Sequence, residues 1–177
     1  MTSSPAPFII SLALDSASFE ILNDLRSRHF PRERLKVGAH VTLFHALPGE
    51  RETEIRCYLE LACSVQAQFP VRFPNVFSLG KGVAISADCP PLIRLREFLA
   101  NEWRPFLTPQ DAQPYRRPHV TIQNKVTPET ARALFDDMKD TWKPFDGLGE
   151  GLRLWRYRGG WWEDAGMFRF PTSITST

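Results

Sequence analysis

The sequence predicts a mixed fold of helices and strands built from two similar βαβ-containing lobes, and two observations lead to that prediction. Strand-like and helix-like segments alternate along the 177 residues, and the order strand, helix, connector, strand, helix occurs twice. The motif His-Val-Thr-aliphatic also occurs twice, as HVTL at 40–43 and HVTI at 119–122. With four His and eleven Thr in the chain, chance gives only about 0.25 His-x-Thr triplets, so the two tetrads indicate a repeated unit.

Residues 8–77 form the first predicted lobe. A nearly continuous apolar run at 8–14 is short enough to be a buried strand. Apolar residues at helical spacing predict helices over 17–29 and 52–67, and the first tetrad begins a strand between them. Residues 69–77 have extended character interrupted by two prolines, which is typical of an edge strand or a connector.

Residues 78–170 form the second predicted lobe, with some exchange of strands between the lobes. A strand at 83–87 precedes a helix that opens at Pro90-Pro91, and the second tetrad follows an irregular linker. Thr127-Pro128-Glu129 supplies a cap, a first-turn proline and a first-turn acid for the next helix. This order matches that of the first lobe.

In the C-terminal part, the sequence predicts a break in regular structure followed by two strands. Residues 144–151 are rich in glycine and predict an interruption. Residues 152–158 alternate as a strand does, and residues 161–170 return as an aromatic-rich strand. We expect the tail at 171–177 to be disordered.

In each tetrad, two polar side chains share one face of a strand and two apolar side chains share the other. In a strand, residues i and i+2 share a face, so His40 lines up with Thr42 while Val41 and Leu43 point into a core. The same alternation applies to the tetrad at 119–122. If the two lobes pack about a pseudo-two-fold axis, both His-Thr pairs face each other across one groove.

Composition and cysteine usage indicate a globular protein of a reducing compartment. The chain is 42% hydrophobic and 24% charged, and its net charge of +2 neither demands nor excludes a phosphate-bearing partner. Three cysteines, Cys57, Cys63 and Cys89, lack CxxC spacing and predict free thiols. Residues 1–7 show no secretory leader, and no stretch approaches the roughly 20 apolar residues of a membrane helix, so we expect a cytoplasmic location.

Two imidazoles that share a cavity form an acid and base pair, because a His pKa of about 6.5 leaves both protonation states accessible near neutral pH. The two Thr hydroxyls can donate hydrogen bonds to non-bridging phosphate oxygens during displacement at phosphorus. No covalent nucleophile is required. His40 and His45 lack the spacing of an HExxH zinc site and a nearby third ligand, so no metal site is predicted.

These residues resemble the two-histidine (2H) phosphoesterase superfamily, in its bacterial 2′-5′ RNA ligase-like or RNA 2′,3′-cyclic phosphodiesterase branch. The resemblance rests on both tetrads, and it extends through PHVTIQNKVTP at 118–128, SLGKGVAI at 78–85 and LRLWRYRGGWWE at 152–163. It covers nearly the whole chain. It implies a bilobal α+β fold about a pseudo-two-fold axis, with two antiparallel-rich sheets flanked by helices around a central groove.

The resemblance also implies a function. It suggests a metal-independent hydrolase without a cofactor, acting on a 2′,3′-cyclic phosphate at an RNA end or on a small nucleotide, with no membrane and no obligate protein partner. Carried over to this chain, His119 is the general base on water, His40 is the general acid on the leaving ribose oxygen, and Thr42 and Thr121 hold the phosphate. Two alternatives stay open: 2′-5′ RNA ligation or hydrolysis of another nucleotide-like phosphodiester, and an RNA-binding module with little or no catalysis.

Further residues are weaker candidates for substrate binding. Each has a second, purely structural reading: a solvated loop end, an exposed turn, a half-buried loop side chain or a capping role. Trp161 and Trp162 point to opposite faces of a strand, so at most one of them stacks on a base. The candidates are His45, Lys81, Tyr115, Arg117 and Arg156, with Arg116 and Asn124 beside them.

Overall fold

The computed structural model describes residues 5–173 of the chain. The strands in this part are β1 (Phe8–Leu14), β2 (Val41–Leu47), β3 (Phe69–Phe73), β4 (Val76–Ser78), β5 (Val83–Ser86), β6 (His119–Gln123), β7 (Phe145–Tyr157) and β8 (Trp162–Arg169). The helices are α1 (Ser16–His29), α2 (Glu52–Ser64), α3 (Pro90–Glu102) and α4 (Pro128–Thr141). None of the helices between positions 5 and 173 is long and apolar enough to cross a membrane.

The strands form one curled antiparallel sheet with the order β3-β7-β1-β2-β6-β5-β4, and β8 pairs with β7. The predicted α+β class and antiparallel pairing are confirmed. The two expected sheets are joined into one, because β2 and β6 meet at a single residue pair, Val41 with Val120. This narrow junction is where the two tetrads lie.

The predicted repeat of element order is present. The first half of the repeat is β1, α1, β2 and α2, and the second half is β5, α3, β6 and α4; β1 pairs with β2, and β5 pairs with β6. Two side chains cap helix starts: Asp15 accepts from the N–H of Ser18 before α1, and Thr127, as predicted, accepts from the N–H of Thr130 before α4. β7 and β8 follow the second half in sequence; β7 pairs with β1, and β8 pairs with β7.

The glycine-rich break predicted at 144–151 is wrong. β7 runs without interruption from Phe145 to Tyr157. Its glycines are positions of close approach: a Cβ at Gly147 would lie 2.1 Å from Ser18 Oγ, and one at Gly151 would lie 2.4 Å from the carbonyl oxygen of Phe168. Glycine here serves packing across the strand and does not end it.

Three smaller boundaries also differ from the prediction. The helix predicted over 52–67 ends at Ser64, so Val65 is 64% exposed and does not face the core. The segment 69–77 forms two short strands, β3 and β4, because Pro74 separates them. The strand predicted at 83–87 ends at Ser86. Of the predicted disordered tail, 174–177 lie outside the described residues.

Candidate active site

Both tetrads alternate as predicted, with the apolar residues inside and the polar residues on a groove. The buried members are 0–1% exposed: Val41, Leu43, Val120 and Ile122. The half-buried members line one groove of about 680 Å³: His40, Thr42, His119 and Thr121. The four side chains that the sequence assigned to a shared site therefore meet.

Strand register sets how the four polar residues face each other. Val41 is paired with Val120 in an antiparallel arrangement. Continued by one residue in each direction, this register sets His40 across from Thr121 and Thr42 across from His119. Each imidazole thus lies opposite the hydroxyl group of the other tetrad.

Each imidazole is oriented by the backbone carbonyl two residues before it. Nδ1 of His40 lies 2.7 Å from the carbonyl oxygen of Gly38, and Nδ1 of His119 lies 2.8 Å from that of Arg117. A carbonyl can only accept, so Nδ1 carries the hydrogen in both rings. Nε2 of each ring is left as the atom that exchanges a proton with the groove.

The surroundings of His40 are apolar and cationic. Its ring packs on that of Trp162 with a centroid distance of 4.5 Å. Burial lowers the pKa of His40 to about 4; the Gly38 carbonyl partly opposes this change, whereas the positive charge of Arg26 adds to it. In the free protein, His40 is neutral at pH 7.

His119 has a different neighbour. Its ring and that of Phe77 are nearly perpendicular to each other, with a centroid distance of 5.6 Å and an interplanar angle of 83°. The guanidinium of Arg117 lies 5.0 Å from the centroid of the same Phe77 ring. Phe77 therefore supports both the second histidine and an arginine at the mouth of the groove.

Two buried arginines donate hydrogen bonds to backbone carbonyl groups of the tetrad strands. Arg26 of α1 donates to the carbonyl oxygens of Val37 at 3.1 Å and Thr121 at 2.6 Å. Arg96 of α3 donates to the carbonyl oxygen of Leu43 at 3.2 Å and to that of Asp111. Each arginine thus joins a loop of its own half to the tetrad strand of the other half.

The groove is strongly basic. Among residues 5–173, its wall contains five permanent cations and one carboxylate, that of Asp111, which already accepts three N–H groups and is 1% exposed. The cations are Arg26, Arg96, Arg116, Arg117 and Lys125. An excess of positive charge in a concave site favours an anionic ligand.

Several of the weaker candidates line the groove. Tyr115 is half-buried there and donates from its hydroxyl to the carbonyl oxygen of Thr42 at 2.9 Å, which ties its loop to β2. Of the two tryptophans, Trp162 reaches the groove, whereas Trp161 is 52% exposed in the turn before β8. The other groove-lining candidates are His45, Arg116, Arg117 and Asn124.

Two candidates, Lys81 and Arg156, do not line the groove. Arg156 donates to both carboxylate oxygens of Glu52, at 3.2 and 3.3 Å, and packs over Phe8. Lys81 is exposed in the turn between β4 and β5 and is not part of the groove wall. Lys125, in the neighbouring turn, lines the groove wall.

Sequence reasoning missed Arg26, Arg96 and Asp111. They belong to helices or loops whose contacts with the tetrad strands span long stretches of chain. The one local signal was an arginine at an apolar-facing position of each helix: Arg26 and Arg96 are 6% and 4% exposed. A buried arginine indicates a partner to be satisfied but does not say which one.

Within residues 5–173, no three His, Cys, Asp or Glu side chains come together as metal ligands do. Cys57, Cys63 and Cys89 are free, and burial raises the pKa of Cys63 and Cys89 to about 12. These two thiols are therefore protonated and chemically quiet at neutral pH.

A curled antiparallel sheet with two His-x-Thr pairs in one groove defines a two-histidine phosphoesterase fold. The chain belongs to the 2′-5′ RNA ligase superfamily, because the model of that family matches residues 14–161. The resemblance found in the sequence is thereby confirmed.

Solved structures share the fold at low identity. TT0787 of Thermus thermophilus is 15% identical with a TM-score of 0.61, over 93% of this chain and 97% of that one. E. coli LigT in its apo form is 16% identical with a TM-score of 0.64, over 96% and 99%. E. coli LigT complexed with 3′-AMP is 17% identical with a TM-score of 0.62, over 94% and 99%. No curated protein sequence matches the chain.

Proposed function

We propose that this protein is a metal-independent phosphodiesterase that opens 2′,3′-cyclic phosphates at RNA ends or on small nucleotides. The observation that carries the proposal is the pair of imidazoles, each held through Nδ1 by a backbone carbonyl and each directed into one basic groove. Such a pair supplies a base and an acid on opposite sides of one phosphorus atom.

In the proposed reaction, Nε2 of His119 removes a proton from water, and the oxygen attacks phosphorus. The bond from phosphorus to one ribose oxygen breaks, and Nε2 of His40 donates a proton to that oxygen. The hydroxyls of Thr42 and Thr121 donate to the non-bridging oxygens, which hold the charge of the transition state. The product is a nucleotide with one free ribose hydroxyl and one phosphomonoester, and a proton exchange between the rings restores the site.

The low pKa of His40 fits this role only when substrate is bound. An acid must carry its proton, and in the free protein burial favours the neutral ring. A phosphate anion against the ring favours the charged form and raises the pKa of His40. Substrate binding therefore protonates His40, and the ring carries a positive charge only in the bound state.

The relatives support a nucleotide as substrate. E. coli LigT has been solved in complexes with 3′-AMP, phosphate and ATP. A nucleoside 3′-phosphate is one of the two products that opening a 2′,3′-cyclic phosphate can give.

A second candidate is 2′-5′ RNA ligation, which the description of the matching superfamily favours. Here a 5′-hydroxyl takes the place of water and attacks the cyclic phosphate. The bond from phosphorus to the 3′ oxygen breaks, that oxygen takes up a proton, and a 2′-5′ phosphodiester forms without an external energy source. The same two imidazoles act, with a second RNA end in the groove.

The test is turnover of adenosine 2′,3′-cyclic phosphate in the presence of a chelator. We expect chelator-resistant hydrolysis that falls at least roughly 100-fold in His40→Ala and in His119→Ala. His29→Ala is the matched control, because His29 ends α1 outside the groove. Loss of turnover with chelator would contradict metal independence. RNA binding without turnover would instead favour a binding module, and joining of RNA ends without hydrolysis would favour the ligase.

A further inference from the structure

A bulge in β2 turns a third histidine into the groove. Ser11 of β1 is paired with Thr42, but the preceding residue, Ile10, is paired with Phe44, so β2 contains one extra residue at Leu43. Leu43 and Phe44 are consequently both buried, at 1% and 0% exposure. In a regular strand, His45 would point away from His40, five residues earlier. After the bulge, it faces the groove.

The second half repeats this bulge. Ala84 of β5 is paired with Thr121, whereas the preceding residue, Val83, is paired with Gln123. The extra residue lies one position after the threonine, as in β2, and it brings Asn124 to the groove wall. Because the same bulge turns the fifth residue after each histidine, His45 and Asn124 are equivalent positions flanking the two His-Thr pairs.

His45 is held in place far more firmly than an exposed side chain usually is. Its Nδ1 lies 3.0 Å from Oδ1 of Asp111, and the same carboxylate accepts the backbone N–H groups of His45 and Ala46 at 2.9 to 3.0 Å. Asp111 is buried, and Arg96 fixes its backbone by donating to its carbonyl oxygen. Since Nδ1 is occupied by the carboxylate, Nε2 is the atom that faces the groove.

The position of His45 separates it from the scissile phosphate. Three residues of strand span roughly 10 Å, so His45 lies well beyond Thr42 along the groove. The loop that supplies Asp111 also brings Arg116 and Arg117 to the groove wall. The groove wall therefore combines an imidazole that a carboxylate orients with guanidinium groups from the loop that supplies this carboxylate, which is a donor set for a phosphate.

We propose that His45, oriented by Asp111, binds a second phosphate group of the substrate, beyond the phosphate that reacts. Between a carboxylate on Nδ1 and a phosphate on Nε2, the imidazolium donates to both. The second phosphate is either the 5′-phosphate of a nucleotide or the phosphodiester that joins the last nucleotide to an RNA strand. The inference rests on the proposed function only in placing the reacting phosphate between the two tetrads.

The test compares the affinities of 3′-AMP and adenosine 3′,5′-bisphosphate by calorimetry. We expect the wild-type protein to bind the bisphosphate about ten-fold more tightly, since a charge-assisted hydrogen bond is added. His45→Ala should remove this preference and leave the affinity for 3′-AMP within about two-fold. His29→Ala is again the control, and thermal unfolding of His45→Ala shows whether the variant folds.

Turnover separates the two sources of the second phosphate. The substrates are adenosine 2′,3′-cyclic phosphate, its 5′-phosphorylated form, and a dinucleotide that ends in a 2′,3′-cyclic phosphate. A His45→Ala defect on the second substrate assigns the contact to a 5′-phosphate, and one on the dinucleotide assigns it to a phosphodiester.

Two results would overturn the inference: equal wild-type affinity for 3′-AMP and the bisphosphate, or an equal loss for both in His45→Ala. Because these are binding measurements, they do not depend on catalysis. Failure of the proposed function would appear instead as absent turnover of all three cyclic substrates.

Discussion

The two halves of the molecule hold the same histidine in the same way and surround it differently. Both imidazoles donate from Nδ1 to the carbonyl two residues earlier. His40, however, packs on Trp162 beside the cation of Arg26, whereas the rings of His119 and Phe77 are nearly perpendicular to each other. The duplicated motif thus orients both rings in the same way, whereas the side chains around the two rings differ.

The two halves are more alike in the buried arginine that each contributes than in the side chains that surround each histidine. Arg26 and Arg96 lie on the helix that precedes each tetrad, and each donates to one carbonyl group at or next to a bulge of the other half. Bulges free backbone carbonyls from the ladder, and a buried carbonyl needs a donor. Arg26 and Arg96 therefore link the two halves through hydrogen bonds to the tetrad strands.

The largest expected effect tests whether the two unequal rings act as one unit. We expect His40→Ala and His119→Ala each to lower kcat for a 2′,3′-cyclic nucleotide by about 10²- to 10⁴-fold. The double variant should lose little more than either single one, because an acid without its base contributes little. Steady-state kinetics of the three variants measure this. Additive losses would mean that the rings work independently.

The next prediction tests whether Arg26 and Arg96 contribute equally to the stability of the fold. Arg26→Met and Arg96→Met should each lower the free energy of unfolding by about 2 to 4 kcal/mol, because two buried carbonyls lose their donors. Urea unfolding measures the change. Arg28→Met on α1 and Arg94→Met on α3 are exposed controls and should stay within about 0.5 kcal/mol of wild type. A large loss in only one of the two buried variants would refute the equivalence.

The sequence predicts what depends on neighbours in the chain. The tetrads, their inward and outward faces and the repeated element order follow from residue type and alternation over a few positions. Glycines at 147–151 were misread because a glycine placed for close packing has the same local pattern as a turn. Whether Gly breaks or permits a strand is decided by the neighbour that fills its space.

Contacts between distant segments could not be predicted in the same way. Alternation alone would turn His45 away from the groove, and only the pairing with β1 reveals the bulge that brings it back. Arg156 looked available because its partner, Glu52, lies on a different element. For the same reason, the sequence could not say which of Trp161 and Trp162 lines the groove, and the structure places Trp162 there.

The third prediction tests whether the contact with Trp162 causes the low pKa of His40. Trp162→Ala should admit water to the ring of His40 and raise its pKa from about 4 toward its ordinary value. Phe77→Ala should leave the pKa of His40 unchanged, since Phe77 contacts the other ring. Titration of the imidazole signals by nuclear magnetic resonance measures both, and phosphate should raise the pKa of His40 in the wild-type protein.

The same pKa has a consequence for stability. The folded protein takes up the His40 proton only near pH 4, whereas the unfolded chain takes it up near pH 6.5, so between these values the unfolded state binds more protons. Stability therefore falls as the pH falls through this window. In Trp162→Ala, this part of the loss should be smaller, and a pH dependence identical to wild type would contradict the account.

The smallest effect distinguishes two lysines in adjacent turns. Lys125 follows β6 and lines the groove, and Lys81 precedes β5 outside it, although the N–H of Val126 donates to the carbonyl oxygen of Lys81. Lys125→Met should weaken 3′-AMP binding by about two- to three-fold at low salt, and less at high salt, because an exposed charge is screened. Lys81→Met should leave the affinity unchanged. The two turns touch, and each carries one lysine charge. Equal effects of the two substitutions would show that the protein attracts its ligand through its general positive charge. A difference would show that only a cation in the groove wall contributes to binding.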